Sequence, residues 1–550
     1  MPSVLSPLCT TSRLIYYSNM TFFTINATSC ASSTFAISPE IFGIKILSLS
    51  ASVVSNFTAQ SDASLRYTSP SVIADGLTFC NVTVTYTHPE AHDQIIVESW
   101  LPTSGSWNER LYAAGGGGYG AGRFFIPYTI MTGAIAEGYA TVTTDAGLGS
   151  DPSILDGSSW ALLSPGNVNL QLARNFGSTS LNEEAIIAKE IVRQYYGKPP
   201  QYSYFNGCSQ GGRQGLALAQ RYPTQYDGIV AGAPAINMPQ VVSSIFWPQQ
   251  FMNELKDHPY DCEVDAVVHA AIAACDSLDG LVDGIIAEPS ICLKNFDPFS
   301  AVNTTIKCPQ TGGERKISKS AAAVVNATWM GMATSYGRIL WPGYTPGTNL
   351  TGTTGFQGGI AGTNCTANGK CEGRYNPLGS GWIKYFAAKD AKLDVGSLTQ
   401  ERFQELVLQS VQEMSSFLGT DDADLEGLKR SGGKLLTWHG LADDVIPPQG
   451  TENYYLEVSS LIPEVHSFFK HYEIPGLAHC SGGSGGQPTA MFEQLRAWVE
   501  NGTEPMSSPV RFDGINGTVW DRIVCPYPSK ARLESSCNDP KSAACWNCVS

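Results

Sequence analysis

A serine and a histidine, far apart in the chain, each adjoin a cysteine and are of the types that nucleophilic catalysis requires. Ser209 is the centre of the pentapeptide Gly-Cys-Ser-Gln-Gly at residues 207–211. Glycines two residues either side of a serine are typical of a strained turn between a strand and a helix, which exposes the hydroxyl for attack. A serine hydroxyl needs a neighbouring base, and an imidazole commonly fills that role. His479, directly before Cys480, is the histidine we predict for it.

Such a base must be oriented by a carboxylate, and the sequence offers two. Where this chemistry is built on an α/β sheet, the chain order is serine, acid, histidine. Asp443 and Asp444 follow the predicted strand at residues 434–438, and His479 follows the next predicted strand. We predict that Asp443 orients the base, with Asp444 as the alternative. His439, at the end of the first of these strands, competes with His479, and we predict a structural role for it.

The cysteines beside the serine and the histidine add a geometric constraint. Cys208 directly precedes Ser209, and Cys480 directly follows His479. A disulfide requires two Cα atoms about 5.5 Å apart. A bridge between these cysteines would hold the serine and histidine loops side by side, so we predict the disulfide Cys208–Cys480.

Strands and helices alternate around the serine, which is typical of a largely parallel α/β sheet. A strand is predicted at 202–206, a helix at 212–221 and a further strand at 227–234, and an amphipathic helix at 183–196 precedes them. The alternation stops in the segment 238–422, which is irregular, contains few helices and is rich in Gly, Thr and Asn. The pattern predicts an α/β-hydrolase fold with a large inserted lid domain.

The predicted domain boundaries follow from that interruption. The α/β-hydrolase catalytic domain comprises residues 30–237 and 423–550, and the lid domain comprises 238–422. Residues 1–29 form an N-terminal segment of unassigned role.

Four consecutive glycines at 115–118 follow a predicted buried strand at 111–114. In this architecture, one N–H from such a loop and one from the residue after the nucleophile stabilise the oxyanion. The oxyanion donors predicted here are therefore Gln210 and one of Gly116 or Gly117, of which we select Gly117.

Taken together, these motifs resemble the fungal tannase and feruloyl esterase family, with its Cys-Ser, Asp and His-Cys arrangement. The similarity extends over most of the chain, at residues 80–89, 115–118, 207–211, 438–448 and 475–480. The resemblance implies a serine esterase that acts on aromatic acid esters. Residues 438–451 are more similar to feruloyl esterases of the B-like group, which act on hydroxycinnamoyl esters of plant cell wall polysaccharides. The resemblance also implies a disulfide between Cys30 and Cys80.

Three other functions stay open at this point. The first is a tannase that hydrolyses gallate esters. The second is an ester or lactone hydrolase of fungal secondary metabolism. The third, from a different class, is a carbohydrate-binding protein on an inactive hydrolase scaffold. Loss of a catalytic residue would favour it, but Ser209, Asp443 and His479 are all present.

An acidic loop in the inserted segment suggests a metal site. Residues 275–285 contain three aspartates and two glycines, and hard oxygen ligands at this density suit calcium. The spacing is not that of an EF-hand. In the resembling family the equivalent loop binds calcium, which implies a structural Ca²⁺ and a bracketing disulfide Cys275–Cys292 here. The implied ligands are the side chains of Asp276, Asp279 and Asp283 and the carbonyls of Leu281 and Ile285.

Composition limits the partners of the chain. The 550 residues are 43% hydrophobic and 15% charged, with a net charge of −15. Such acidity disfavours nucleic acids and anionic membranes, and no apolar run approaches the roughly 20 residues that span a bilayer. We expect a small-molecule or polysaccharide-linked ester as the partner and leave the oligomeric state open.

Cysteine and sequon content favours a secreted, disulfide-bonded glycoprotein. The chain has 15 cysteines, a density typical of an oxidising compartment. Asn-x-Ser/Thr sequons lie at Asn19, Asn26, Asn56, Asn81, Asn303, Asn326, Asn349, Asn364, Asn501 and Asn516. Residues 1–17 nevertheless lack the apolar core and cleavage site of a signal peptide. An odd cysteine count leaves at least one unpaired, and we select Cys9.

Overall fold

A computed structural model describes residues 29–35, 41–103, 105–149, 153–352, 359–366, 369–514 and 517–550. The predictions for Cys9 and for the segment 1–28 lie outside these residues. No helix in the described part of the chain is both long and apolar enough to cross a membrane.

A mixed sheet of nine strands forms the centre of the molecule. The strands are β1 (Lys45–Ser61), β2 (Val72–Thr87), β3 (Ile95–Pro102), β4 (Arg110–Ala114), β5 (Ala140–Thr144), β6 (Tyr202–Cys208), β7 (Gly228–Gly232), β8 (Lys434–Gly440) and β9 (Phe469–Ile474). They lie in the order β1-β2-β3-β5-β4-β6-β7-β8-β9. The pairs from β1 to β5 are antiparallel, and those from β5 through β4 to β9 are parallel.

Helices cover both faces of this sheet. The α-helices of the described residues are α1 (Ala63–Arg66), α2 (Phe125–Ala136), α3 (Leu170–Arg174), α4 (Ser180–Tyr196), α5 (Gln210–Arg221), α6 (Met238–Leu255), α7 (Asp261–Cys275), α8 (Pro289–Asn295), α9 (Lys319–Met330), α10 (Pro377–Gly381), α11 (Gln400–Leu418), α12 (Glu426–Ser431), α13 (Gln449–Leu461) and α14 (Met491–Asn501). Successive strand residues point to opposite faces. Phe205 thus joins the core beneath α4 and α5, whereas Tyr204 joins the core beneath α2 and α14. The predicted α/β arrangement is confirmed.

The chain between β7 and β8 is more helical than its sequence suggested. It contains α6 to α12 and three short hairpins. The hairpins pair Thr305–Cys308 with Gly313–Lys316, Met332–Ala333 with Ile339–Trp341, and Thr363–Cys365 with Cys371–Gly373. Helix α6 is buried over most of its length and packs against α9, α10 and α11. A helix buried on all sides has no polar stripe, so its periodicity is weak. The domain boundaries and the role of this segment as a lid stay predictions.

Disulfides fasten the loops and the C-terminal segment. The seven found among the described residues are Cys30–Cys80, Cys208–Cys480, Cys262–Cys308, Cys275–Cys292, Cys365–Cys371, Cys525–Cys548 and Cys537–Cys545. The C-terminal segment forms two hairpins, Ser508–Asp513 with Val519–Val524 and Lys530–Leu533 with Trp546–Val549.

Candidate active site

Ser209 lies at a sharp turn between β6 and α5. Its φ of 63° and ψ of −121° fall in a region that side-chain-bearing residues rarely adopt. Such strain persists only where the surroundings fix it. A Cβ on Gly207 would lie 2.7 Å from the backbone of Gly211, so the close approach of strand and helix requires glycine. The turn therefore has the geometry of a nucleophile elbow.

The glycine loop after β4 packs directly on this elbow. A Cβ on Gly115 would lie 2.8 Å from the Cα of Gly211. The N–H of Gly116 donates to Oε1 of Gln214 at 2.8 Å, and the N–H of Gly117 donates to the carbonyl of Gly120 at 3.1 Å. Both loop amides that the sequence suggested as oxyanion donors are thus already occupied in this structure.

Gly118, which the sequence did not single out, is the next residue of the glycine loop. No acceptor for its N–H is found among the described residues, and Gly118 lines the same cavity as Ser209. The N–H of Gln210 belongs to the first residue of α5, where helical N–H groups lack an intrahelical partner. No sequence signal separates Gly118 from its neighbours, because the difference depends on the turn that Gly117 and Gly120 close.

His479 and Asp443 are brought together from the loops after β9 and β8. The Nδ1 atom of His479 lies 2.8 Å from Oδ2 of Asp443. Asp444 instead accepts the backbone N–H of His479, at 3.3 Å. Asp443, rather than Asp444, therefore contacts the imidazole, and Nε2 is left to accept a proton.

The carboxylate of Asp443 is fully buried and, besides His479, is held by three further contacts, from His439, Val445 and Ile446. Its Oδ1 accepts the N–H groups of Val445 and Ile446 at 2.8 and 2.7 Å. Burial alone would raise the pKa of Asp443, but the charge of His479 and the hydrogen bonds from His439 and His479 hold it well below its usual value. The group therefore stays ionised, as an orienting acid must.

The pKa of His479 reflects opposing influences. Burial alone would lower it, but the charge and hydrogen bond of Asp443, together with the charge of Asp444, raise it above its usual value. The side chain of His479 is 11% exposed. The imidazole is thus poised to take up a proton inside the cavity.

The disulfide between Cys208 and Cys480 connects the loops that carry Ser209 and His479. Their Cα atoms lie 6.0 Å apart, and the bond joins residues 272 positions apart in sequence. Ser209 and His479 both line a cavity of about 940 Å³ at the carboxyl edge of the parallel strands. The apolar part of its wall includes Tyr67, Phe125, Ile126, Ile272, Ile286 and Leu441.

The acidic loop of the inserted segment folds back on itself. Both oxygens of Asp276 accept backbone N–H groups, from Asp283 at 3.0 Å and from Gly284 at 2.9 Å. Oδ1 of Asp279 accepts the N–H of Leu281, and Oδ1 of Asp283 accepts the N–H of Ile285, each at 3.0 Å.

A side chain from the C-terminal hairpin reaches this loop. The guanidinium of Arg522 donates to Oδ2 of Asp283 and lies over the rings of Trp520 and Trp546. Within the described residues, no three His, Cys, Asp or Glu side chains converge as metal ligands would.

The chemistry of the loop nevertheless fits calcium. Three carboxylates lie within eight residues, and Asp276 and Asp283 are buried. Burial raises the pKa of Asp279 and of Asp283, because it disfavours the ionised carboxylates. A bound cation would stabilise the ionised form and so offset this effect of burial.

A serine at a strand–helix elbow, a histidine and a buried aspartate after successive strands of a parallel sheet define a serine hydrolase of the α/β type. The sequence matches the family described as tannase and feruloyl esterase over residues 80–549, and the chain belongs to it. The resemblance found in the sequence is thereby confirmed. Enzymes of this family hydrolyse carboxylic esters, and this chain is accordingly a carboxylic ester hydrolase.

Individual relatives agree with this membership. The chain is 37% identical over 488 residues to a probable feruloyl esterase of Arthroderma benhamiae, covering 88% of this chain and 87% of the relative. It is 27% identical to a tannase of Aspergillus oryzae, covering 85% and 86%. Among solved structures, the tannin acyl hydrolase of Aspergillus niger superposes with a TM-score of 0.82 at 26% identity, covering 95% of both chains.

Proposed function

We propose that Ser209, His479 and Asp443 form the catalytic triad of this hydrolase. Ser209 attacks the ester carbonyl while Nε2 of His479 accepts its proton, and Asp443 stabilises the imidazolium that forms. His479 then donates the proton to the leaving alcohol, and water repeats the sequence on the acyl-enzyme. The observation that carries the proposal is the contact of 2.8 Å between His479 and Asp443 beside a serine in an elbow conformation.

The oxyanion of the tetrahedral intermediate is stabilised by the N–H groups of Gln210 and Gly118. Gln210 follows Ser209 in sequence, and Gly118 lines the same cavities as Ser209. Preformed donors of this kind contribute to rate because they need no reorganisation as negative charge develops.

The substrates are aromatic acid esters, most specifically hydroxycinnamoyl esters of plant cell wall polysaccharides. The support comes from the relative of Arthroderma benhamiae, named a probable feruloyl esterase, at 37% identity. The largely apolar cavity wall suits an aromatic ring. Gallate esters are the alternative, supported by the similarity to the tannin acyl hydrolase.

Calcium in the loop at 276–285 has a structural role in this proposal. Asp276, Asp279 and Asp283 would hold it by their side chains, with the carbonyls of Leu281 and Ile285. The ion would supply charge neutralisation for three crowded carboxylates, and no catalytic step depends on it.

The enzyme is secreted and glycosylated in this proposal. Seven disulfides support an oxidising compartment. Exposed sequon asparagines that could carry glycans are Asn56, Asn303, Asn364 and Asn501. Asn81 is excluded because its amide donates to Glu98 within the sheet.

A fluorophosphonate probe tests the catalytic assignment. We expect it to label Ser209 of the wild-type enzyme and to leave Ser209→Ala unlabelled and inactive. Methyl ferulate, methyl caffeate and methyl gallate, assayed side by side, test the substrate. Faster hydrolysis of the gallate would favour the tannase alternative, and absence of both labelling and hydrolysis would remove the proposal.

A further inference from the structure

One face of α7, in the inserted segment, forms part of the cavity wall. Asp265, Val268, His269 and Ile272 all line the cavity that contains Ser209. Their spacing of three, four and seven residues places them on one stripe of a helix. Two of these side chains are apolar, as in an ordinary cavity wall. The other two, Asp265 and His269, bring hydrogen-bonding groups into an otherwise largely apolar surface.

The carboxylate of Asp265 is only partly satisfied. The hydroxyl of Thr351 donates to its Oδ1 at 2.7 Å, and no donor to Oδ2 is found among the described residues. Burial raises the pKa of Asp265, which reflects an incompletely solvated carboxyl group. Asp265 is partly exposed where it lines the cavity, so a bound molecule can donate a hydrogen bond to its carboxylate.

Helix α7 is firmly held, which suits a binding surface. At its N-terminus, the backbone N–H of Tyr260 donates to Oε2 of Glu263 at 3.2 Å, and the N–H of Glu263 donates to the carbonyl of Tyr260 at 2.9 Å. Disulfides from Cys262 to Cys308 and from Cys275 to Cys292 fasten its two ends. Side chains on such a rigid element are presented without a large ordering cost when a ligand binds.

The charged side chains around the cavity favour ligands that donate hydrogen bonds and disfavour anionic ligands. Its described lining residues include the acids Asp265 and Asp444 and the histidines His269 and His479, with no lysine or arginine among them. An anionic group would be repelled by these carboxylates, whereas a hydroxyl would be accepted.

We propose that Asp265 and His269 form a hydroxyl-binding subsite of this cavity, which recognises a hydroxyl group of the ester substrate. The hydroxyl donates a hydrogen bond to the carboxylate of Asp265, and His269, exposed at the cavity wall, provides a second hydrogen-bond partner. The hydroxyl belongs to the phenol of the acyl group or to the sugar alcohol. The inference rests on the proposed function, because it specifies the substrates of the same cavity.

Two pairs of substrates distinguish the two hydroxyl sources. Methyl ferulate and methyl 3,4-dimethoxycinnamate differ in the free phenol, and 5-O-feruloyl-arabinofuranose and methyl ferulate differ in the sugar. For the wild type, we expect a higher kcat/KM in one pair for the member with the extra hydroxyl source, which is methyl ferulate in the first pair and the feruloylated sugar in the second. The ratio of the two kcat/KM values within that pair is the quantity to compare between variants. Asp265→Ala should reduce that ratio about 10- to 100-fold, the effect of losing a hydrogen bond to a charged group, and should leave the other ratio unchanged. His269→Gln should reduce the same ratio less.

Matched variants separate binding from folding. Ala274→Gln alters an exposed position of α7 outside the cavity, and we expect both ratios to stay at the wild-type value. Asp265→Asn and Thr351→Val are the alternatives if Asp265→Ala does not fold, as judged by thermal unfolding. Either should reduce the same ratio, because the first removes the charge of the acceptor and the second its fixed orientation.

The outcomes also separate this inference from the proposed function. If the variants are labelled at Ser209 by a fluorophosphonate and both ratios equal those of the wild type, the subsite is wrong although the ester hydrolase stands. The subsite is also wrong, and the ester hydrolase still stands, if the wild type is labelled at Ser209 but prefers neither hydroxyl-bearing substrate. If the wild type is neither labelled nor active on any of these esters, the proposed function itself fails.

Discussion

The Nε2 atom of His439 lies 3.1 Å from Oδ2 of Asp443, the same oxygen that contacts His479. Nε2 also lies 3.1 Å from the carbonyl of Ile446, while Nδ1 lies 2.8 Å from the hydroxyl of Thr451. Because both neighbours of Nε2 are acceptors, this nitrogen carries the proton and Nδ1 accepts from Thr451. The fully buried His439 therefore donates a hydrogen bond that fixes the orientation of the Asp443 carboxylate.

We expect His439→Ala to lower both stability and turnover. The free energy of unfolding should fall by about 1–3 kcal/mol, since two buried acceptors lose their donor. The kcat should fall about tenfold or more, because small misplacements of catalytic groups are costly. Thr451→Val, which leaves the contact with Asp443 in place, should have a smaller effect on kcat. An unchanged kcat for a folded His439→Ala enzyme would show that this histidine does not position Asp443.

The pH dependence of kcat/KM should distinguish Asp443 from Asp444. His479 acts as a base only when neutral, so activity rises with pH through its pKa, which lies above the usual value. The charge of Asp444 contributes to that elevation, so Asp444→Asn should move the rising limb to lower pH and retain activity. Asp443→Asn should lower kcat by about 10⁴-fold. The reverse pattern, with Asp444→Asn inactive, would assign the orienting role to the other aspartate.

Short-range sequence patterns were sufficient to predict the elbow at Ser209 and the placement of Asp443 and His479 after successive strands. The turn at 207–211 depends on nearby glycines, and a buried strand leads into each of the three loops. The occupied amides of Gly116 and Gly117 could not be predicted, because their acceptors depend on how the turn closes and on Gln214 of α5.

The inserted segment was harder to predict for a different physical reason. Helix α6 is buried on most sides and contains Pro248, so neither amphipathic periodicity nor propensity indicates a helix of 18 residues. The contact of Arg522 with Asp283 joins residues that are 239 positions apart, and no local pattern connects them.

A buried ion-pair cluster away from the cavity should make stability depend on pH. Nδ1 of His88 lies 2.6 Å from Asp93, and Nε2 lies 2.8 Å from Glu183. The hydrogen bond with Glu183, opposed by burial and supported by Asp93, raises the pKa of His88 to about 9. A folded-state pKa above the unfolded value stabilises the protein fully below about pH 6.5, and that stability is lost as pH rises through about 9.

We therefore expect the melting temperature of the wild type to exceed that of His88→Gln most clearly near pH 6. The difference should narrow between about pH 6.5 and 9.5 as the imidazolium loses its proton. His92→Gln, at an exposed histidine nearby, is the matched control and should leave the profile unaltered. A difference that is constant across this range would mean that His88 is not charged in the folded state.

Chelation should affect stability more than turnover if the loop at 276–285 binds calcium. EDTA should lower the melting temperature, with little effect on kcat at moderate temperature, and elemental analysis should find bound calcium. Arg522→Met should lower the melting temperature more in EDTA than in calcium, because the buried carboxylate of Asp283 then has no cation. Purified protein without calcium, or equal effects in both conditions, would contradict the assignment.

The disulfide Cys208–Cys480 should matter more for catalysis than for stability alone. Because it closes a loop of 272 residues, a chain-entropy estimate for loops of 100 residues or more gives about 5 kcal/mol of stabilisation. Its local effect is to fix the neighbours of Ser209 and His479, and a displacement of about 1 Å can cost about a hundredfold in rate. We therefore expect Cys208→Ala/Cys480→Ala to lose about a hundredfold in kcat while still folded, well below its melting temperature.

The matched control is Cys365→Ala/Cys371→Ala, which removes a disulfide between cysteines six residues apart in a hairpin of the inserted segment. This variant should keep the wild-type kcat. A folded first variant with near-normal kcat would show that the bridge does not hold the catalytic loops in place.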